Sequence, residues 1–137
     1  IKWGDDLGTE DERILTEKEA MPVFVVNYPL KAKAFYMKEN LADARTVLCA
    51  DMLAPQGYGE IIGGSERETD YDKLVERLKK QNADLKYYQW YLDLRKYGSV
   101  PHSGFGLGIE RFMRWVLKLE HIRDAMPFPR VINRAYP

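Results

Sequence analysis

Glycine alternates with large apolar residues from Gly104 to Gly108, and the apolar spacing then lengthens to Ile109, Phe112, Met113, Val116 and Leu117. A switch from period two to period 3.6 predicts a strand running directly into an amphipathic helix. One face of that strand carries only glycine, so a flat ring can lie close against its backbone. Arg111 falls in the first helical turn, where free N–H groups and the helix dipole favour an anion. A guanidinium there adds a forked, permanently charged donor suited to phosphate oxygens. The spacing is G-x-G-x-G, not the G-x-G-x-x-G of dinucleotide-binding turns. A nucleotide site fits the pattern, with tight interlayer packing as the plainer alternative.

The rest of the chain restricts where such a site belongs. At 137 residues, size favours one domain with a proper core. Lys plus Arg and Asp plus Glu both number 21, so a nucleic-acid partner would need a local patch or a further segment. A single cysteine, Cys49, has no partner for an internal disulfide and no companion metal ligands, which fits a reducing compartment. There is no apolar run of transmembrane length. The chain opens at Ile1 within sequence that already reads as structured, and a fragment or processed product is expected.

In order, the sequence predicts a short helix from Asp11 to Ala20 capped by Thr9, and a buried strand over Val23–Val26. Another short strand is expected around Phe35-Tyr36-Met37, then a turn from Asn40 to Ala44. Thr46 to Leu53 and Tyr58 to Gly64 read as a hairpin joined through Pro55-Gln56-Gly57. Helical spacing follows over Tyr71, Leu74, Val75 and Leu78, with Thr69 or Asp70 as cap. A second helix is marked by Tyr87, Trp90, Tyr91, Leu94 and Tyr97, whose spacing suggests core packing, and Gly98 closes it. Pro127-Phe128-Pro129-Arg130 should run extended. The whole reads as α+β, an antiparallel sheet flanked by helices.

Asp51 and Glu60 each sit in an apolar strand, and the hairpin brings them side by side. Two carboxylates in a half-buried sheet need a cation or donors. Oxygen ligands beside a nucleotide suit Mg²⁺, while the alternative is an ordinary salt bridge. Arg67 lies seven residues beyond Glu60, on the opposite face of an unbroken strand. A bulge at Gly63-Gly64 would turn it back toward the Glu60 face, over a pocket for a polar or acidic group. His102 reads two ways, lining the mouth of the glycine strand or sitting solvated in a loop.

Together these pieces carry a resemblance. Gly104 to Arg111 is similar to motif 3 of the class II aminoacyl-tRNA synthetases, and Asp51 through Arg67 resembles the preceding strand pair in their aspartyl/asparaginyl/lysyl subgroup. Val26-Asn27-Tyr28-Pro29, the Gly57-Tyr58-Gly59-Glu60 form of the hairpin, and Pro127-Phe128-Pro129-Arg130 with Asn133-Arg134 point to the asparaginyl branch. The resemblance implies ATP-dependent activation of asparagine to an adenylate, transfer to tRNA(Asn), Mg²⁺, and a cytoplasmic homodimer. By position it assigns ATP binding to Asp51, Glu60, Gly106, Gly108, Ile109, Glu110 and Arg111. Arg111 would hold the γ-phosphate, and the two glycines would leave room for adenine. Glu60 and Arg111 would be catalytic, Asp51 and Glu60 would hold the metal, and Gly63 and Arg67 would bind the amino acid. Nothing matches motifs 1 or 2 or the anticodon-binding barrel, so residues 1–137 are expected to be the C-terminal portion of a catalytic domain. Neighbouring readings stay open: an aspartyl enzyme, an adenylate-forming asparagine synthetase on the same core, or a non-catalytic module.

Overall fold

The structure is a computed structural model that describes residues 1–136. Four antiparallel strands, β1 (Val23–Val26), β2 (Cys49–Ala54), β3 (Gly59–Glu66) and β4 (Ser103–Leu107), form one sheet in the order β1-β2-β3-β4. The helices are α1 (Thr9–Thr16), α2 (Tyr71–Lys80), α3 (Gln89–Lys96) and α4 (Ile109–Val116), with single 3₁₀ turns at Leu85–Tyr88 and Ile122–Ala125. The expected α+β architecture is the one observed. Strand β1 lies at the sheet edge and is not buried as expected: Phe24 and Val26 are exposed. No helix among the described residues is long and apolar enough to cross a membrane.

The chain divides into two compact units. The first comprises Ile1–Asp6, Val26–Ala50 and Gly64–Phe105, and the second comprises Leu7–Val25, Asp51–Gly63 and the chain from 106 onward.

In the first unit, α2 begins where Asp70 accepts a hydrogen bond from the Lys73 amide at 3.0 Å, satisfying one of the otherwise open N-terminal donors. The helix ends before Asn82, which takes the left-handed conformation at φ 53°. Leu74 and Leu78 of α2 and Leu92 of α3 are fully buried against Phe35, Tyr36, Tyr88 and Tyr91. The aromatic stripe at and around α3 meets expectation only in Tyr91, which packs on the core, whereas Tyr87, Trp90, Leu94 and Tyr97 are exposed. The face turned inward is Tyr88, Tyr91, Leu92 and Arg95. Buried Arg95 donates from Nε to the Glu68 carbonyl at 3.1 Å and from Nη2 to the Tyr91 hydroxyl at 2.8 Å. A guanidinium on the core face broke the apolar pattern and left the solvent-facing stripe looking more regular.

The strand expected around Phe35-Tyr36-Met37 is instead a loop with a single bridge, Met37 to Arg67. Its carbonyls are taken elsewhere. The Arg77 guanidinium of α2 donates to Met37 O and, at 3.1 Å, to Ala34 O. Burial lowers the pKa of Arg77, with Glu39 and Glu68 opposing that shift. A half-buried charge that stays paired with two carbonyls pins this loop to α2.

In the second unit, α1 starts at Thr9, with the Gly8 amide donating to Asp11 Oδ2 at 3.0 Å, and it stops at Thr16 rather than Ala20. Thr16 is fully buried, and its carbonyl accepts from Gln56 N at the hairpin tip at 2.8 Å. That tip turns through Gln56 at φ 59° and Gly57 at φ 76°. At Gly57 a Cβ would also stand 3.0 Å from Arg13 Cγ, so both backbone and space call for glycine. Strand β4 passes into α4 where the change of period placed it. None of the α4 residues is buried among the described residues, and Ile109 and Val116 are more than half exposed.

Candidate active site

The second unit holds most of the residues singled out in the sequence. Asp51 projects from β2 and is 6% exposed; Glu60 projects from β3 and is half-buried. Their carboxylates converge on one point. A Cβ built on Gly63 would stand 2.7 Å from Glu60 Oε1 and 3.3 Å from Asp51 Oδ1. Residues 60 and 63 would face opposite ways in a flat strand, so β3 departs from simple alternation between them. The glycine pair does not end the strand, since β3 runs on to Glu66. The missing side chain at Gly63 leaves a notch lined by two carboxylate oxygens.

Arg111 reaches the same strand from the first turn of α4, donating from Nη1 to the Glu60 carbonyl at 2.9 Å. Its stem folds back over Gly108, where a Cβ would lie 3.2 Å from Arg111 Cδ. Gly106 differs: nothing lies within 4 Å of its Cβ position. The space left by the glycines is therefore open at Gly106 and filled by the Arg111 stem at Gly108. Ile109 is exposed and Glu110 half-buried, both in the opening turn of α4. Glu12 of α1 accepts from the Glu60 amide at 3.0 Å, a contact that sequence reasoning missed because the two residues are far apart in the chain.

No group of three or more His, Cys, Asp or Glu able to hold a metal occurs among the described residues. Two converging carboxylates can supply only part of a cation's shell. That donor set fits Mg²⁺, which prefers a few carboxylates and completes its octahedron with water and phosphate. The geometry can seat a cation-bound polyphosphate with a guanidinium beside it.

Arg67 lies in the first unit and forms a separate cluster. Its Nη1 donates to Ser65 Oγ at 2.9 Å, and its Cζ stands 4.7 Å from the centre of the Tyr36 ring. The guanidinium also covers Gly104, where a Cβ would lie 3.0, 3.4 and 3.6 Å from Nη2, Nε and Cζ. Glu68, beside it in sequence, is buried and accepts the Thr69 and Asp70 amides. His102 is exposed, with Nδ1 2.7 Å from the Val100 carbonyl, in keeping with a loop role. Tyr36 and Ser65 were not singled out in the sequence. The i, i+2 spacing of Ser65 and Arg67 on one strand face was the available signal; nothing local marks Tyr36.

A family model described as tRNA synthetases class II (D, K and N) matches residues 1–132. The asparagine–tRNA ligase of Pyrococcus abyssi is 66% identical over all 137 residues, which cover 32% of that protein. A crystal structure of asparaginyl-tRNA synthetase from Pyrococcus horikoshii complexed with asparaginyl-adenylate superposes with a TM-score of 0.96 at 64% identity, over the whole chain and 32% of its own. An aspartyl-tRNA synthetase from Entamoeba histolytica gives a TM-score of 0.90 at 27% identity, over the whole chain and 29% of its own. The chain thus spans about a third of the length of the curated relatives it matches.

Proposed function

The chain belongs to the class II tRNA synthetases of the D, K and N type, and on that footing we propose that it is the C-terminal part of the catalytic domain of an asparagine–tRNA ligase. One observation carries the choice within the family: along the same residues the chain is more like asparaginyl than aspartyl enzymes, 39% against 27% identity even within Entamoeba histolytica. In this reading the protein activates asparagine with ATP and transfers it to tRNA(Asn). It acts in the cytoplasm as a homodimer whose dimer and tRNA contacts are made mainly by other segments.

Activation requires the asparagine carboxylate to attack the α-phosphorus in line while pyrophosphate leaves. No covalent intermediate with the enzyme forms, so positioning and charge neutralisation supply the catalysis. Arg111 holds the γ-phosphate at the start of α4, where the helix dipole adds to its charge. Adenine lies against Gly106 of β4, whose Cβ position is open, with Ile109 and Glu110 beside it. Asp51 and Glu60 hold Mg²⁺, which neutralises phosphate charge when bound. Arg67 presents N–H donors to the side-chain end of the amino acid.

The test is ATP–pyrophosphate exchange by the complete protein that carries these residues. Asparagine should support exchange about a hundredfold better than aspartate. Preference for aspartate would move the assignment to the aspartyl enzymes, and a folded protein that exchanges with neither would be a non-catalytic module. Arg111→Lys keeps the charge but loses the fork, and should raise the KM for ATP about tenfold or more.

A further inference from the structure

Arg67 is a long, flexible side chain, and a flexible donor reads an amide poorly. To discriminate, its fork must already point the right way before asparagine arrives. Three neighbours constrain it in the first unit. Ser65 Oγ accepts from Nη1 at 2.9 Å, which takes one of the five N–H donors and fixes rotation of the guanidinium plane. The Tyr36 ring flanks the plane, with its centre 4.7 Å from Cζ, a cation–π distance. Gly104 supplies the remaining wall: three guanidinium atoms lie within 3.6 Å of its Cβ position, so any side chain there would push the group out.

Tyr36 is itself held from the core. It packs against the buried Leu74, Leu78 and Leu92 cluster and lies edge-on to Phe35, with ring centres 5.4 Å apart. Its loop is clamped by Arg77, and its carbonyl accepts the Glu68 amide at 2.9 Å. Core packing is thereby passed to the guanidinium through one aromatic ring.

We infer that Tyr36, Ser65 and Gly104 are positioning residues that orient Arg67 for the substrate side chain and so set amino-acid affinity and choice. The inference rests on the asparagine–tRNA ligase reading. Each of the three acts through Arg67 rather than by touching substrate.

The experiment is pyrophosphate exchange in the complete protein, with asparagine and ATP varied separately. Tyr36→Leu and Ser65→Ala should each raise the KM for asparagine about fivefold to twentyfold, leaving kcat and the KM for ATP within about twofold. Tyr36→Phe keeps the ring and should restore wild-type affinity. Gly104→Ala should displace the guanidinium and raise the asparagine KM in the same way. An asparagine KM unmoved in Ser65→Ala and Gly104→Ala would overturn the inference, as would an ATP KM that rises in step. Should Tyr36→Leu fail to fold, the Ser65 and Gly104 variants carry the test. A wild-type protein with no asparagine-dependent exchange would instead defeat the underlying reading, and this inference with it.

Discussion

Adding one methyl group at Gly63 perturbs the carboxylate pair without altering either carboxylate. An alanine Cβ would stand 2.7 Å from Glu60 Oε1, closer than real Cβ contacts come, and 3.3 Å from Asp51 Oδ1. Something must move, and the cheapest atom to move is the tip of the Glu60 side chain. Gly63 is not among the residues of positive φ, so alanine brings no backbone strain. Overpacking a rigid core costs about 1–3 kcal/mol, and yielding by a side-chain tip belongs at the low end. Removing a glycine restricts the unfolded chain and offsets about 0.4–1 kcal/mol of that. Net stability should therefore change by no more than about 1 kcal/mol, a shift of about 4 °C or less in Tm. On the proposed role of Asp51 and Glu60 in holding Mg²⁺, the functional cost should be larger, because Glu60 moves away from the point shared with Asp51. Disturbing the support of a metal site costs about 10–100-fold in affinity, and displacing a ligand itself falls at the upper end. The assay is the Mg²⁺ dependence of pyrophosphate exchange in the complete protein, beside a thermal melt. A Gly63→Ala protein with wild-type Tm and unchanged Mg²⁺ half-saturation would refute the reasoning.

Two further outcomes rest on stability. Asp70→Ala removes the side-chain cap of α2 and should cost about 1 kcal/mol in urea unfolding, with Asp70→Asn recovering most of it; a loss below about 0.3 kcal/mol would mean the cap carries little. Asp43 is held down to a pKa of about 2 by side-chain hydrogen bonding from Arg45, with its backbone bond and charge adding to the effect. A depressed carboxylate stabilises above its ordinary pKa, and that contribution is lost as pH falls through about 2. The Asp43 carboxyl should titrate near 2 by NMR and move back toward 3.8 in Arg45→Ala; no movement would refute the pairing.

What the sequence disclosed was what local chemistry determines. Asp70 as cap, the hairpin turn at Gln56-Gly57, and the passage of β4 into α4 each follow from neighbours a few residues away. The carboxylate pair was legible for the same reason, since a short hairpin separates Asp51 from Glu60. The unread parts depend on distant partners. Residues 34–37 close a turn, Met37 N to Ala34 O, rather than a strand, and Arg77, some forty residues on, holds that turn through the Ala34 and Met37 carbonyls. The buried face of α3 was missed because Arg95 sits on it, with its charge satisfied by Glu68 O and the Tyr91 hydroxyl. The setting of Arg67 was hidden because Tyr36 and Gly104 meet it only after folding.

The clamp of Arg77 on the Ala34 and Met37 carbonyls has a thermodynamic consequence. Arg77 lies in the second half of α2, so fraying of that half removes its two bonds to the loop that carries Tyr36. Local opening and the ordering of the Arg67 guanidinium then share a single equilibrium. Any ligand that binds only the ordered arrangement must pull that equilibrium toward the closed helix by linkage. On the proposed role of Arg67, amide hydrogens from Leu74 to Lys80 should exchange with solvent more slowly as asparagine binds. The helix would then report occupancy from outside the site.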